Sequence, residues 1–236
     1  MISMELNPVK DTKDCLTCSY RSQMFNLLSR NELQMMKENR IPVVFKKGEI
    51  IRKQGASMTH VISVTHGLAK LYREGTKDTN TIMRIVRPTN FIGGPGIFFE
   101  PIHHFTVAAL TETWVCFIDL QVFKKILDSN KKFEEAFLED FSKNALSVYY
   151  RLIELSRKMA PGKMADALLY LFEDVYDKSK FRMLLSKQDL ADLSAMSKDS
   201  ATKILRDFQN NGIITRTKDE IILLDSDALR RVSKNG

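Results

Sequence analysis

Three groups of side chains in this 236-residue chain could do chemistry. Cys15 and Cys18 share a C-x-x-C spacing, and Cys116 is a third thiol far along the chain. Such thiols can exchange electrons or ligate a metal. A thiol oxidoreductase would set the motif between a strand and a helix, and no such setting surrounds Cys15. His103 and His104 could ligate haem iron, although a solvated loop histidine is the commoner arrangement. The third group is of another kind. Lys198, Asp199, Thr202, Lys203 and Arg206 recur at helical spacing, and their donors and acceptors suit base edges and phosphates. No Ser-His-Asp set, carboxylate pair or phosphate loop stands out, which argues against an enzyme.

That polar stripe needs a helix to carry it and a scaffold to present it. Ser186 and Asp189 have the spacing of a capping box that opens a short helix with Leu190, Ala191 and Leu193 inward. Ser194-Ala195-Met196 makes a turn, and Ser197 caps a second helix. On the second helix Ala201, Ile204, Leu205 and Phe208 fall at i, i+3, i+4 and i+7. The polar residues repeat this spacing two positions earlier, roughly 200° around the helix, and so lie opposite the buried stripe. Asn210-Asn211-Gly212 is a stop signal. Strands at Ile213-Ile214 and Ile221 to Leu224 then flank the turn Thr215 to Glu220, a wing whose Arg216 and Lys218 could reach a phosphate backbone. The pattern predicts a winged helix-turn-helix over residues 161–236, aimed at a major groove.

The upstream chain predicts an α+β protein. Residues 1–40 form an N-terminal segment and a helix through Phe25, Leu27, Leu28, Leu33 and Met36. Residues 41–128 read as many short strands divided by turns, a double-stranded β-roll. Residues 131–160 form one long helix. In it Leu138, Phe141, Ala145, Val148, Leu152, Leu155 and Met159 follow a 3-4 heptad spacing, the signature of a two-fold dimer seam. Pro161-Gly162 is the expected hinge. No apolar run approaches the ~18 residues a membrane span needs. An odd number of cysteines argues against a disulfide scaffold and for the cytoplasm. The net charge of +7 suggests nucleic acid, but residues 161–236 carry 13 Lys and Arg against 12 Asp and Glu. DNA binding must therefore rest on the local placement of cations.

This order of β-roll, long helix, hinge and winged head resembles the CRP/FNR family of bacterial transcription regulators over essentially the whole chain. The resemblance is carried by Ser186-Lys187-Gln188-Asp189-Leu190-Ala191 and by Ser197-Lys198-Asp199-Ser200-Ala201-Thr202-Lys203-Ile204-Leu205. It implies a homodimer on a pseudo-palindromic operator, with RNA polymerase as a further partner. Ser186 and Gln188 would hold the phosphate backbone, with Lys187 beside them. Asp199 would accept from cytosine N4 and Lys203 donate to guanine, with Lys198, Ser200, Thr202 and Arg206 completing the groove face. The family more often has Glu and Arg at positions 199 and 203. Lysine lacks the planar fork of arginine, so a shifted half-site is expected.

The β-roll resembles the cyclic-nucleotide module through Phe91-Ile92-Gly93-Gly94-Pro95-Gly96-Ile97-Phe98. Gly94 stands where that module has a ribose-binding carboxylate, and His103-His104 near its arginine-serine pair. Both ligand groups are missing, which argues against cAMP as effector and marks a pocket around Gly93, Gly94, His103 and His104 for an unknown small-molecule or redox effector. FNR-type sensors hold an iron–sulfur cluster on four cysteines. Cys15, Cys18 and Cys116 match three of those places, whereas Met24 stands at another and a thioether replaces thiolate poorly. A ligand-binding regulatory protein without DNA contact is the rival reading, and it leaves the polar stripe and the wing unexplained.

Overall fold

The computed structural model describes residues 14–18, 20–76, 80–176, 179–182, 184–217 and 220–236. Lys218 at the wing tip lies outside them. A 3-10 turn, Gln23–Leu27, and helix α1, Arg30–Glu38, replace the continuous N-terminal helix the apolar pattern suggested. The break has a local cause. Ser29 accepts from the Glu32 N–H while the Glu32 side chain accepts from the Ser29 N–H, so a capping box starts a new helix between the apolar residues.

Eight antiparallel strands follow: β1 Arg40–Phe45, β2 Ile50–Arg52, β3 His60–His66, β4 Ala69–Glu74, β5 Asn80–Val86, β6 Phe91–Ile92, β7 Thr106–Ala109 and β8 Thr113–Asp119. They form two sheets, ordered β1-β8-β3-β6 and β2-β7-β4-β5. Inward residues of both sheets, among them Ile51, Ile62, Val64, Val107, Val115 and Phe117, interdigitate as the core of the expected β-roll. Gly67, at φ +78°, turns β3 into β4 where an added Cβ would stand 2.1 Å from the Glu112 carbonyl. Only glycine fits there.

Helix α2, Leu120–Ser129, is capped by Asp119, and the 27-residue helix α3, Lys131–Arg157, by Asn130. Phe123, Phe133 and Phe137 from these helices meet Phe25 and Phe91 in an aromatic cluster that fixes α3 against the roll; Phe91 and Phe123 stack at 5.0 Å. The chain breaks at Lys158 and Met159, both extended, before helix α4, Ala160–Tyr170. The expected hinge at Pro161-Gly162 therefore moves. Pro161 sits in the first turn of α4, where its missing N–H would have had no intrahelical acceptor, so it starts a helix instead of bending one.

A single π-helical turn, Leu171–Val175, leads to β9, Lys180–Arg182, then α5, Lys187–Leu193, and α6, Lys198–Asn210. Strands β10, Ile214–Arg216, and β11, Glu220–Leu223, complete a three-stranded sheet ordered β10-β11-β9. Helix α7, Ser226–Asn235, was not read from the sequence, although Asp225 caps it and Leu229 is its buried anchor. The outer face of the β2-β7-β4-β5 sheet, through Tyr72, Ile82, Ile85 and Leu110, joins the core of this C-terminal domain. Among the described residues no helix is long and apolar enough to cross a membrane.

Candidate nucleic-acid interface and sensor cavity

The two helices of the reading head are built as their caps dictate. Ser186 and Asp189 form the reciprocal box, Ala195 takes φ +49° to make the turn, and Ser197 accepts from the Ser200 N–H at 3.2 Å. Ala201, Ile204, Leu205 and Phe208 are buried, which leaves Lys198, Asp199, Ser200, Lys203 and Arg206 exposed on the opposite face. Thr202 is half-buried, and its hydroxyl donates back to the Lys198 carbonyl at 2.8 Å. The wing pairs Ile214 with Leu223 and Arg216 with Ile221, and Thr215 belongs to strand β10, not to the turn. Arg216 and Thr217 flank a groove with Ser186, Lys187 and Gln209, a cleft edged by donors at the start of α5.

Two predicted phosphate-binding side chains are already engaged. The Ser186 hydroxyl donates to Asp189 at 2.7 Å, and the Gln188 amide donates to Asp192 at 2.8 Å. Asp189 is itself buried and accepts from Lys70 of β4 at 2.5 Å. Burial pushes this carboxyl up, but the hydrogen bonds from Lys70 and Ser186 outweigh it and hold Asp189 below the usual range. More contacts seat the head on the roll. Tyr170 accepts from the Ile85 N–H at 2.9 Å on β5, the edge of its sheet. Arg151 of α3 donates to the Met83 carbonyl at 2.7 Å and to the carbonyl of Leu193 at the end of α5.

Gly93, Gly94, His103 and His104 all line one cavity of about 340 Å³ between the β-roll and α3. Gly94 takes φ +65°, and a Cβ on Gly93 would lie 2.3 Å from Ile97, so the glycines shape the wall and bring no ligand group. His103 is 6% exposed, and burial first, then the charges of Arg52 and His104, pushes its pKa down to about 4. The Nε2 atoms of both histidines are buried without a partner. Sequence reasoning missed Arg84, whose guanidinium donates to Asn144 at 2.6 Å and to the Phe91 carbonyl at 3.1 Å. A charge inside the apolar strand Ile82-Met83-Arg84-Ile85 was its only signal.

Cys15 and Cys18, three residues apart, and Cys116, about a hundred residues further along, line one small cavity of about 30 Å³. Arg40 donates to the Cys116 sulfur at 3.1 Å, and Arg21 donates to the Cys15 carbonyl at 3.0 Å. Burial raises the Cys15 and Cys116 thiols, with Arg40 opposing it. Among the described residues no group of three or more His, Cys, Asp or Glu is arranged to hold a metal ion. A space the size of one water and a guanidinium on the deepest sulfur do not fit an iron–sulfur cluster in this arrangement.

The heptad residues of α3 divide between two faces. Leu138, Phe141 and Leu152 are exposed on α3, and Met159 is exposed in the extended break beyond its end. Ala145, Val148 and Leu155 are half-buried, with Ala145 and Val148 turned to the cavity. Leu146, Tyr149 and Ile153 are exposed as well, Tyr149 by 61%. The open apolar surface of α3 thus keeps Leu138, Phe141 and Leu152 of the predicted line and adds Leu146, Tyr149 and Ile153 beside it. The roll claims the Val148 side because Phe133 and Phe137 anchor α3 there.

A sensor-like roll joined by a long helix to a winged helix-turn-helix defines a class of DNA-binding regulator. The Cyclic nucleotide-binding domain family matches residues 42–130 and the Crp-like helix-turn-helix domain family residues 162–232. The chain is 24% identical over 203 residues to the HTH-type transcriptional regulator Cmr of Mycobacterium tuberculosis, covering 86% of this chain and 80% of that one. It is 22% identical over 185 residues to the transcriptional activator protein anr of Pseudomonas aeruginosa, covering 77% and 75%. FixK2 from Bradyrhizobium japonicum shares the fold at TM-score 0.75 and 16% identity, over 82% of this chain and 96% of that one. The chain belongs to the CRP/FNR family of transcription regulators. Of these, Cmr is a transcriptional regulator and anr a transcriptional activator.

Proposed function

We propose that this chain works as a homodimer on a pseudo-palindromic operator with half-sites about one helical turn, ~34 Å, apart. The observation that carries the reading is the outward row Lys198, Asp199, Lys203 and Arg206 on a helix whose opposite face is buried. Lys203 donates to guanine, Asp199 accepts from cytosine, and Lys187, Arg216 and Lys218 meet phosphates. Gln188 and Ser186 join them by exchanging their present carboxylate partners for phosphate oxygens. The exposed stripe of α3 is the dimer seam. The β-roll cavity is the effector site, and the same helix lines cavity and seam, so an effector that prefers one packing of α3 shifts the spacing of the reading heads. The effector is not cAMP, since neither ligand group of the nucleotide module is present. RNA polymerase is the expected partner at the promoter, in the cytoplasm.

Selection of bound sequences from random DNA, followed by titration against salt, tests this. A two-fold motif with affinity falling steeply as salt rises is expected. A chain that stays monomeric and binds no DNA at low salt would falsify it.

A second reading concerns what is sensed. Three thiols in one cavity favour redox sensing at Cys15, Cys18 and Cys116, a chemistry that needs no bound cluster. Thiol counting and mass spectrometry after mild peroxide treatment test it, with a Cys15 or Cys18 disulfide to Cys116 as the expected product. Three free thiols after treatment, or the oxidised thiols of an unlinked chain, would remove this reading.

A further inference from the structure

The chemistry of the β-roll cavity narrows its ligand further than its location does. Most of the wall is hydrocarbon: Phe91, Val107, Phe137 and Val148 face the same space. A volume of about 340 Å³ is at the small end of ligand sites and suits a compact molecule. The polar groups of the wall fall into two sets. Arg84, Asn144 and Asp140 satisfy one another: Arg84 donates to Asn144, whose amide donates to Asp140 at 2.9 Å. The second set is unsatisfied. His103 and His104 both line the cavity, and each has a buried Nε2 with no partner. A buried ring nitrogen left unpaired costs free energy that a ligand atom can recover. The nearby charge is positive, since Arg52 acts on His103 and Arg84 lies in the wall, whereas the single wall carboxylate is tied to Asn144. A positive field over two unpaired imidazoles favours an anion over a neutral or cationic group.

We propose that the ligand is a compact apolar monocarboxylic acid, with its hydrocarbon body against Phe91, Phe137 and Val148 and its carboxylate accepting from Nε2 of His103 and His104. This rests on the reading of the cavity as the effector site. The same chemistry has two sources, an aromatic acid or a medium-chain fatty acid. The aromatic walls favour the flat ring.

The test titrates the full-length protein calorimetrically with phenylacetate, naphthoate, octanoate and decanoate, with the neutral amide of each, and with cAMP. The acids are expected to bind and the amides to bind about tenfold or more weakly, because the charge-assisted hydrogen bonds are lost. His103→Leu and His104→Leu, which remove the ring donors, with folding checked by circular dichroism, are expected to erase that difference between acid and amide while keeping weak binding of the hydrocarbon. The stronger series, aromatic or alkyl, identifies the source. Acids and amides of equal affinity, cAMP tighter than every acid, or no binding by any acid would each overturn the ligand class.

A separate arm addresses the site. Val148→Trp puts a large side chain into the cavity from α3 and leaves both histidines in the sequence. A change in operator affinity on filling, with no acid binding the parent protein, keeps the effector site and discards the acid. Acid binding that moves operator affinity neither by ligand nor by filling keeps the acid and discards the effector role.

Discussion

The Lys70 ammonium of the β-roll lies 2.5 Å from the Asp189 carboxylate of the reading head. Asp189 closes the capping box of α5, so one carboxylate both starts the first helix of the helix-turn-helix and ties it to the β-roll. The Lys70 ammonium also lies over the Tyr72 ring, 5.1 Å from its centre, and Tyr72 belongs to the core that the two domains share.

Lys70→Met is expected to destabilise the protein by about 1–3 kcal/mol, less than the 3–5 of a fully buried pair because Lys70 keeps a fifth of its side chain exposed. The sign with pH follows from Asp189. Its folded carboxyl titrates below its unfolded value, so the stabilisation is present above the ordinary carboxylate pKa of about 3.9 and is lost as pH falls through the folded value. Urea unfolding of both proteins from pH 7 downward measures this. The gap between them should hold to about pH 5 and close in stronger acid.

Lys203→Ala is expected to relax preference at one base pair of each half-site by about 1–3 kcal/mol, and Lys203→Arg to sharpen it through a bidentate guanine contact. Sequence selection with each variant reads this directly. An unchanged motif would remove Lys203 from base reading.

A charge in the exposed stripe should separate protomers where an apolar exchange on the half-buried side of α3 should not. Leu152 is 63% exposed, so Leu152→Glu costs the single chain little and buries an unpaired carboxylate in a dimer. Sedimentation is expected to show monomers for Leu152→Glu and dimers for Leu155→Met.

Gly67→Ala is expected to cost several kcal/mol, from both the left-handed φ and the overlap with the Glu112 carbonyl. Gly48→Ala is the control: φ is +89° there but no atom lies within 4 Å, so about 1 kcal/mol is expected. Thermal unfolding of the two variants separates strain from overlap.

Much of the reading head was legible because its signals are local. The Ser186 and Ser197 caps, the apolar stripe of α6 and the Asn210-Asn211-Gly212 stop act within one or two turns of helix, and the structure keeps all of them. Helix α7 was overlooked because it is short and mostly polar, with Leu229 its one fully buried side chain and Ala228 and Val232 only partly buried beside it. The break before α4 was misplaced for the opposite reason: Pro161 is a strong local signal with two meanings, and only its position relative to Met159 distinguishes bend from start.

The sequence by itself determined most of the order of elements, the caps of α5 and α6 and the polar face that α6 turns outward, because propensity and periodicity are short-range. Tertiary structure alone decided which face of α3 stays open, that Lys70 finds Asp189, that Cys116 reaches Cys15 and Cys18, and that His103 loses its water. Each depends on packing between residues far apart in the chain, where burial and the loss of solvent set the energies, and no spacing along a single strand or helix encodes that.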